Sequence, residues 1–263
     1  MRIKFTKMHG IGNDFIILDQ LKDQYNLDAR KIKALSHRQF GIGFDQLLII
    51  ESSSNPKAEF KYRIFNSDGT EVEQCGNGAR CFFRYIKSRG LSKSSHITVE
   101  TKSGLIVLSE TSKGQISVNM GKPIFKKQIS ELFTFVSIGN PHAVILLDKN
   151  QEFEDFVELA ITIQANKKLF PKGVNVGLMK KIDENTIRLK VLERGSGFTL
   201  ACGSGACAAV AVAVLKKLVS TPVKVHMDGG KLIIDWDGAN SIIMSGPAEI
   251  LFEGEIDISS IKI

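Results

Sequence analysis

Hydrophobic and polar residues alternate at the start of the chain, through Ile3-Lys4-Phe5-Thr6-Lys7-Met8, which predicts a strand. The polar, glycine-rich His9–Asp14 predicts a turn, and the unbroken apolar run Phe15–Leu18, ending at Asp19, predicts a buried strand. Asp28–Gln39 has helical spacing with Asp28 as N-cap. Strands are expected at Gln46–Glu51 and Phe60–Asn66, with a turn at Ser67-Asp68-Gly69. A helix then runs from about Gly78 to Ser88 and stops near Gly90, and strands Ile97–Lys102, Leu105–Glu110 and Gln115–Asn119 form a meander. The same order follows again. Strands are expected at Phe135–Ile138, Ala143–Leu147, Gly173–Met179 and Thr186–Leu192, with a helix at Phe153–Asn166. A second glycine-led helix, Gly205–Leu218, precedes strands Val223–Met227, Lys231–Trp236 and Ser241–Ser245.

The recurrence extends to residues. Cys75-Gly76-Asn77-Gly78-Ala79 is echoed by Cys202-Gly203-Ser204-Gly205-Ala206, 127 positions later. Gly12-Asn13 recurs as Gly139-Asn140 at the same offset, and Asn66 falls on Glu193. Three matches in one register imply two homologous halves. The expected division is 1–121 and 122–248, with Gly121-Lys122-Pro123 at the boundary. The alternating tail 249–263 is free to pair with either half.

Composition narrows the function classes. Hydrophobic content of 43% and charged content of 24% are those of an ordinary globular protein. No apolar run reaches the ~20 residues of a membrane span, and the N-terminus has no signal-peptide core. A cytoplasmic protein with no membrane partner is the expectation. The net charge of +7 is spread over separated pairs such as Lys126-Lys127, Lys167-Lys168 and Lys216-Lys217. There is no arginine stripe or aromatic interleaving, so nucleic acid is not expected as a partner. The four cysteines are spaced Cys-x5-Cys and Cys-x4-Cys, which fits neither the usual zinc pattern nor a disulfide scaffold. No metal is expected, and thiol chemistry gains weight. A non-catalytic thiol protein binding metal or acting in redox is the alternative from another class.

Each cysteine loop precedes a predicted helix. A helix N-terminus presents unpaired N–H groups and about half a unit of positive charge. Cys75 and Cys202 are therefore expected to have depressed thiol pKa values. The N–H groups of Gly76, Asn77 and Gly78, and of Gly203, Ser204 and Gly205, are expected to hold an anion. Related by pseudo-twofold symmetry, the two loops would flank a small carboxylate. One sulfur would take the α-proton and the other return one from the opposite face. Cys81 and Cys207 fall inside the helices and are expected in the core.

These residues resemble the diaminopimelate epimerase family. The resemblance is carried by Phe5–Phe15, by Asn66–Cys81, by Gly139-Asn140-Pro141-His142, by Glu193–Gly197 and by Ala201–Cys207, and it reaches Phe252–Ile256. It implies a mixed α/β fold of two similar halves, each a curled, mostly antiparallel sheet around a central helix, with segment 249–263 returning to the first half. It implies cofactor-independent interconversion of LL- and meso-2,6-diaminopimelate, for lysine and peptidoglycan synthesis, by a homodimer. On the matching positions Cys75 and Cys202 are the acid/base pair, and His142 and Glu193 tune or orient them. Substrate contacts fall to Asn13, Gln46, Asn66, Gly76, Asn77, Asn140, Asn175, Glu193, Arg194, Gly203 and Ser204. Arg194 suits a distal carboxylate, which a guanidinium fork binds in two places. Phe198 stands where the family often has a polar residue. A proline or hydroxyproline racemase of the same fold is the alternative, although proline lacks the second polar pole that Arg194 and the asparagines would serve.

Overall fold

The computed structural model describes residues 2–73, 75–126 and 130–261; Gln74 and Lys127 lie outside them. The fold is mixed α/β and dominated by strands, with four α-helices among the described residues. The chain divides into two compact units, Met1–Val118 with Pro247–Ile263, and Asn119–Gly246.

In the first unit, β1 (Arg2–Gly10) and β2 (Asn13–Asp19) form an antiparallel hairpin. Helix α1 (Ala29–Ser36) leads to β3 (Gln46–Glu51), which lies parallel to β2. Strand β4 (Phe60–Asn66) pairs antiparallel with β3 and with the short β5 (Glu71–Val72). Helix α2 (Gly76–Ser88) follows, then β6 (His96–Thr101) parallel to β4, and the antiparallel β7 (Gly104–Glu110) and β8 (Ile116–Asn119). The last long strand of the chain, Glu249–Asp257, belongs to this unit and pairs with β1 from Arg2↔Asp257 to His9↔Glu249.

The second unit repeats the pairing plan. Strand β9 (Ile124–Phe125) pairs with β10 (Thr134–Ser137), and β10 with β11 (Pro141–Leu147). A 3₁₀ turn and α3 (Val157–Ala165) lead to β12 (Asn175–Asp183), parallel to β11. Strand β13 (Thr186–Glu193) is antiparallel to β12 and to β14 (Gly197–Thr199). After α4 (Gly203–Leu215), β15 (Val223–Met227) lies parallel to β13 and is followed by the antiparallel β16 (Gly230–Asp235) and β17 (Ile243–Gly246). The strand Glu249–Asp257 is β18.

Helices α2 and α4 are the buried axes of their units. Helix α4 reads Gly-Ser-Gly-Ala-Cys-Ala-Ala-Val-Ala-Val-Ala-Val-Leu and is apolar all round, as a helix enclosed by sheet must be. Both helices start two residues earlier than their glycines suggested. In α2 the reason is capping: extended Cys75 places its sulfur as acceptor for the Gly78 N–H. Both also end in a reverse turn, at Gly90 in α2 and at Lys217 in α4, each with a positive φ. The Leu218 N–H returns to Ala213, so α4 stops short of the expected Leu218. Helix α1 ends at Ser36 rather than Gln39, because the His37 ring accepts the N–H groups of Gln39 and Phe40 and turns the chain out.

Candidate active site

In the first unit Cys75 is the N-cap of α2, at φ −140° and ψ 113°, and its Sγ accepts the Gly78 N–H at 3.4 Å. Fully buried Tyr62, from β4, donates its hydroxyl to the Cys75 carbonyl at 3.5 Å. Gly78 has to be glycine, since a Cβ there would collide with the Tyr62 hydroxyl and lie 3.1 Å from Leu48. Asn13, at the start of β2, turns its Oδ1 toward this loop. That oxygen accepts from Asn77 Nδ2 at 3.2 Å and lies 3.9 Å from Cys75 Sγ. Its Nδ2 donates the other way, to Asp45 at 2.8 Å. On the neighbouring strands Gln46 donates to Asn66 Oδ1 (2.9 Å), and Asn66 donates to the Thr70 hydroxyl (3.3 Å). Gln46 Oε1 is buried and has no hydrogen-bond partner among the described residues.

In the second unit Cys202 is the N-cap of α4, at φ −132° and ψ 105°, and is only 4% exposed. Burial pushes its thiol pKa well above the ordinary value, and the Glu193 carboxylate adds to the rise. The Gly205 N–H and the Ser204 hydroxyl, 3.7 Å away, act in the opposite direction. The expected depression by the helix start is thus outweighed at this cysteine, because desolvation and a like charge both disfavour the thiolate. Glu193 closes β13 and accepts the Thr199 hydroxyl at 2.6 Å. His142 lies on β11, buried, with Nε2 at 3.0 Å from both Asn140 Oδ1 and Ser204 Oγ. Burial, reinforced by the Arg194 charge, drives its pKa down to about 3, so the imidazole is neutral near pH 7. Its Nδ1 has no hydrogen-bond partner among the described residues, which leaves the ring proton on Nε2. Asn175, beside His142 on the parallel strand, accepts the Arg194 N–H at 2.9 Å. The Arg194 guanidinium donates to the Lys172 carbonyl at 2.7 Å, and its stem passes so close to Gly173 that a Cβ there would lie 2.8 Å from Cδ.

One expectation about the loops changes. The Gly78 and Gly205 N–H groups, grouped above with the anion donors, are directed at the cysteine sulfurs. The helix start therefore serves two ends, with its third N–H on the thiol and its first two at Gly76-Asn77 and Gly203-Ser204. Among the described residues no group of three or more His, Cys, Asp or Glu is placed to hold a metal ion. None of the described helices is long and apolar enough to cross a membrane.

The sequence pattern of the family described as diaminopimelate epimerase matches residues 5–126 and 134–251. The chain belongs to the diaminopimelate epimerase family. It is 43% identical to the diaminopimelate epimerase of Cupriavidus metallidurans over 99% of both chains. It is 45% identical to that of Thioalkalivibrio sulfidiphilus over 98% of this chain and all of the other. Among solved structures, a phenazine biosynthesis protein of the PhzF family from Bacillus anthracis superposes with a TM-score of 0.74 at 17% identity, covering 97% of this chain and 99% of that one. That likeness is one of fold.

Within this diaminopimelate epimerase family member, the structure gathers Asn13, Cys75, Gly76 and Asn77 around one helix start and links Gln46 to Asn66. It gathers His142, Asn140, Ser204, Cys202 and Glu193 around the other, with Asn175 and Arg194 joined beside them. Asp45, Tyr62, Thr70 and Thr199 were not singled out from sequence. Each holds a singled-out residue by a hydrogen bond, and only Thr70 and Thr199 lie within six positions of the residue they hold. Asp45 carried a weak signal, standing directly before Gln46 in a glycine-rich loop.

Proposed function

We propose that this protein is a cofactor-independent epimerase that interconverts LL- and meso-2,6-diaminopimelate, on the route to lysine and peptidoglycan precursors, by proton transfer between carbon and two cysteines. The observation that carries the reading is the pair of cysteine N-caps, each at the head of a buried helix, in a chain of this family. A carboxylate seated at the Gly76-Asn77 and Gly203-Ser204 N–H groups gathers charge as its α-proton leaves. Donors aimed at such developing charge stabilise the transition state by roughly 3–4 kcal/mol each. One sulfur, as thiolate, takes the α-proton and becomes a thiol. The other thiol delivers its proton to the opposite face and becomes the thiolate, so charge and protons balance. The raised pKa of Cys202 suits it to rest as the thiol, with Glu193 beside it and neutral His142 holding Ser204. Asn13, Gln46, Asn66, Asn140, Asn175 and Arg194 bind the substrate, and Arg194 takes the distal carboxylate.

Incubation with LL-diaminopimelate in deuterated water is expected to give the meso isomer with deuterium at one α-carbon. Absence of both products overturns the reading, and proline or hydroxyproline as the better substrate in the same panel replaces it with the racemase. We also infer a cytoplasmic homodimer from the family relation. A monomer mass in solution at micromolar concentration contradicts the dimer.

A further inference from the structure

We infer that Asp45 is a positioning residue of the Cys75 loop: its carboxylate fixes which way round the Asn13 amide lies, and so makes Asn13 a hydrogen-bond acceptor toward Asn77, with the same oxygen facing the Cys75 sulfur. The inference rests on the reading of Cys75 as an acid/base group. Asn13 Nδ2 is 2.8 Å from Asp45 Oδ2, and an ionised carboxylate can only accept. The amide nitrogen must therefore face Asp45, and the oxygen must face the loop. There it receives Asn77 Nδ2 at 3.2 Å and stands 3.9 Å from the Cys75 sulfur.

Asp45 is itself held in place. Its Oδ2 also accepts the Asp14 N–H at 3.1 Å, and its Oδ1 accepts from Arg38 at 2.8 Å. The same arginine grips Asp14 through two bonds, at 3.0 and 2.8 Å, and Asp14 returns an acceptor to the Asp45 N–H at 3.0 Å. Buried Lys7 closes the group by donating to Asp14 and to the Gly43 carbonyl. Two cations and two carboxylates thus lock each other, and one carboxylate oxygen is left to set the amide. An inverted Asn13 would bring its NH2 against the NH2 of Asn77 and lose that hydrogen bond. The loop carries the sulfur, and a small displacement of a reacting group costs rate more than binding.

The orientation is read directly by neutron diffraction from deuterated crystals of the wild-type protein, which needs no substrate. Deuterons are expected on the Asn13 atom facing Asp45; deuterons on the atom facing Cys75 overturn the inference. In solution, Asp45→Asn removes the acceptor-only partner and is expected to lower kcat about tenfold with a smaller change in KM, from the loss of a hydrogen bond to a charged group. Asp45→Glu keeps the carboxylate and is expected to recover kcat to within about threefold of wild type. Equal losses in both variants, in step with thermal unfolding, assign Asp45 a merely structural part and overturn the inference. Wild-type protein inactive on diaminopimelate would instead overturn the functional reading and leave the neutron result standing.

Discussion

The two cysteine poles share a backbone plan but not a chemistry. Each cysteine is the N-cap of a buried helix, in extended backbone, and two glycines follow within the helix's first turn. Around Cys75 the shell is made of amides, Asn13 and Asn77, braced by an ion cluster. Around Cys202 it is made of a carboxylate, a hydroxyl and a neutral imidazole. Amides carry no charge, whereas the Glu193 carboxylate disfavours the Cys202 thiolate. The two units thus share what the proposed two-way inversion needs, a sulfur at a helix start, and differ in what surrounds it.

The largest effect expected breaks the comparison outright. Cys75→Ala and Cys202→Ala should each abolish epimerisation, because the proposed scheme uses both sulfurs in each direction; full activity in either variant removes the two-thiol scheme. Next come the glycines three residues on. Gly205→Ala sets a Cβ 3.2 Å from Cys202 Sγ and 2.9 Å from Val191, and should cost about a hundredfold in kcat by displacing the sulfur. Gly78→Ala instead drives its Cβ into Tyr62, Leu48 and Phe15, and should cost stability by about 1–3 kcal/mol. Denaturant melts set beside kcat sharpen that contrast, and identical profiles for the two variants erase it.

A smaller effect separates the thiols in the free enzyme. Half-buried Cys75 should react with iodoacetamide at pH 7.5 several-fold faster than Cys202, which burial and Glu193 keep protonated. Mass spectrometry of the alkylated peptides measures the order, and faster labelling of Cys202 contradicts it.

The smallest effect concerns acid. Lys7 and Arg38 hold the Asp14 carboxyl, despite its burial, at about 2 against an ordinary 3.8. A depressed folded-state pKa contributes stability that is present above the ordinary value and lost as pH falls toward the folded one. After discounting for partial exposure this is about 1 kcal/mol. The stability gap between wild type and Asp14→Asn should stay constant from pH 7 to 4 and close between pH 4 and 2. For Cys202, with a raised pKa, the sign reverses: its contribution is present at neutral pH and lost as pH climbs past the ordinary thiol value.

Much of the fold was legible in periodicity. Strands Phe60–Asn66 and Val223–Met227 have the bounds their alternation predicts, since one face of each is buried, and Gln46–Glu51 has its predicted bounds because its central apolar run is buried on both faces. The helix starts were misplaced because glycine is a poor helix former; the Cys75 sulfur on the Gly78 N–H and the Cys75 carbonyl on the Ala79 N–H show that the helix begins at Gly76. At the site, the chemical types could be read but not their wiring. Asn13 and Asp45 are 32 positions apart, and His142 and Ser204 are 62 apart. Such contacts are set by which strand lies beside which, and no local pattern encodes that. Gln74, which stands opposite Ala201 in the repeat, lies outside the described residues.

The pairing of β1 with β18 has a consequence for how the protein is made. Strand β1 finds one neighbour at once on leaving the ribosome, in β2, but its other neighbour is translated only after the whole second unit. Until then β1 is an open edge, with unpaired N–H and C=O groups that any passing strand can join. The nascent first unit is therefore unfinished for as long as the second takes to synthesise, and that interval is when a second chain on the same message is best placed to seize the edge.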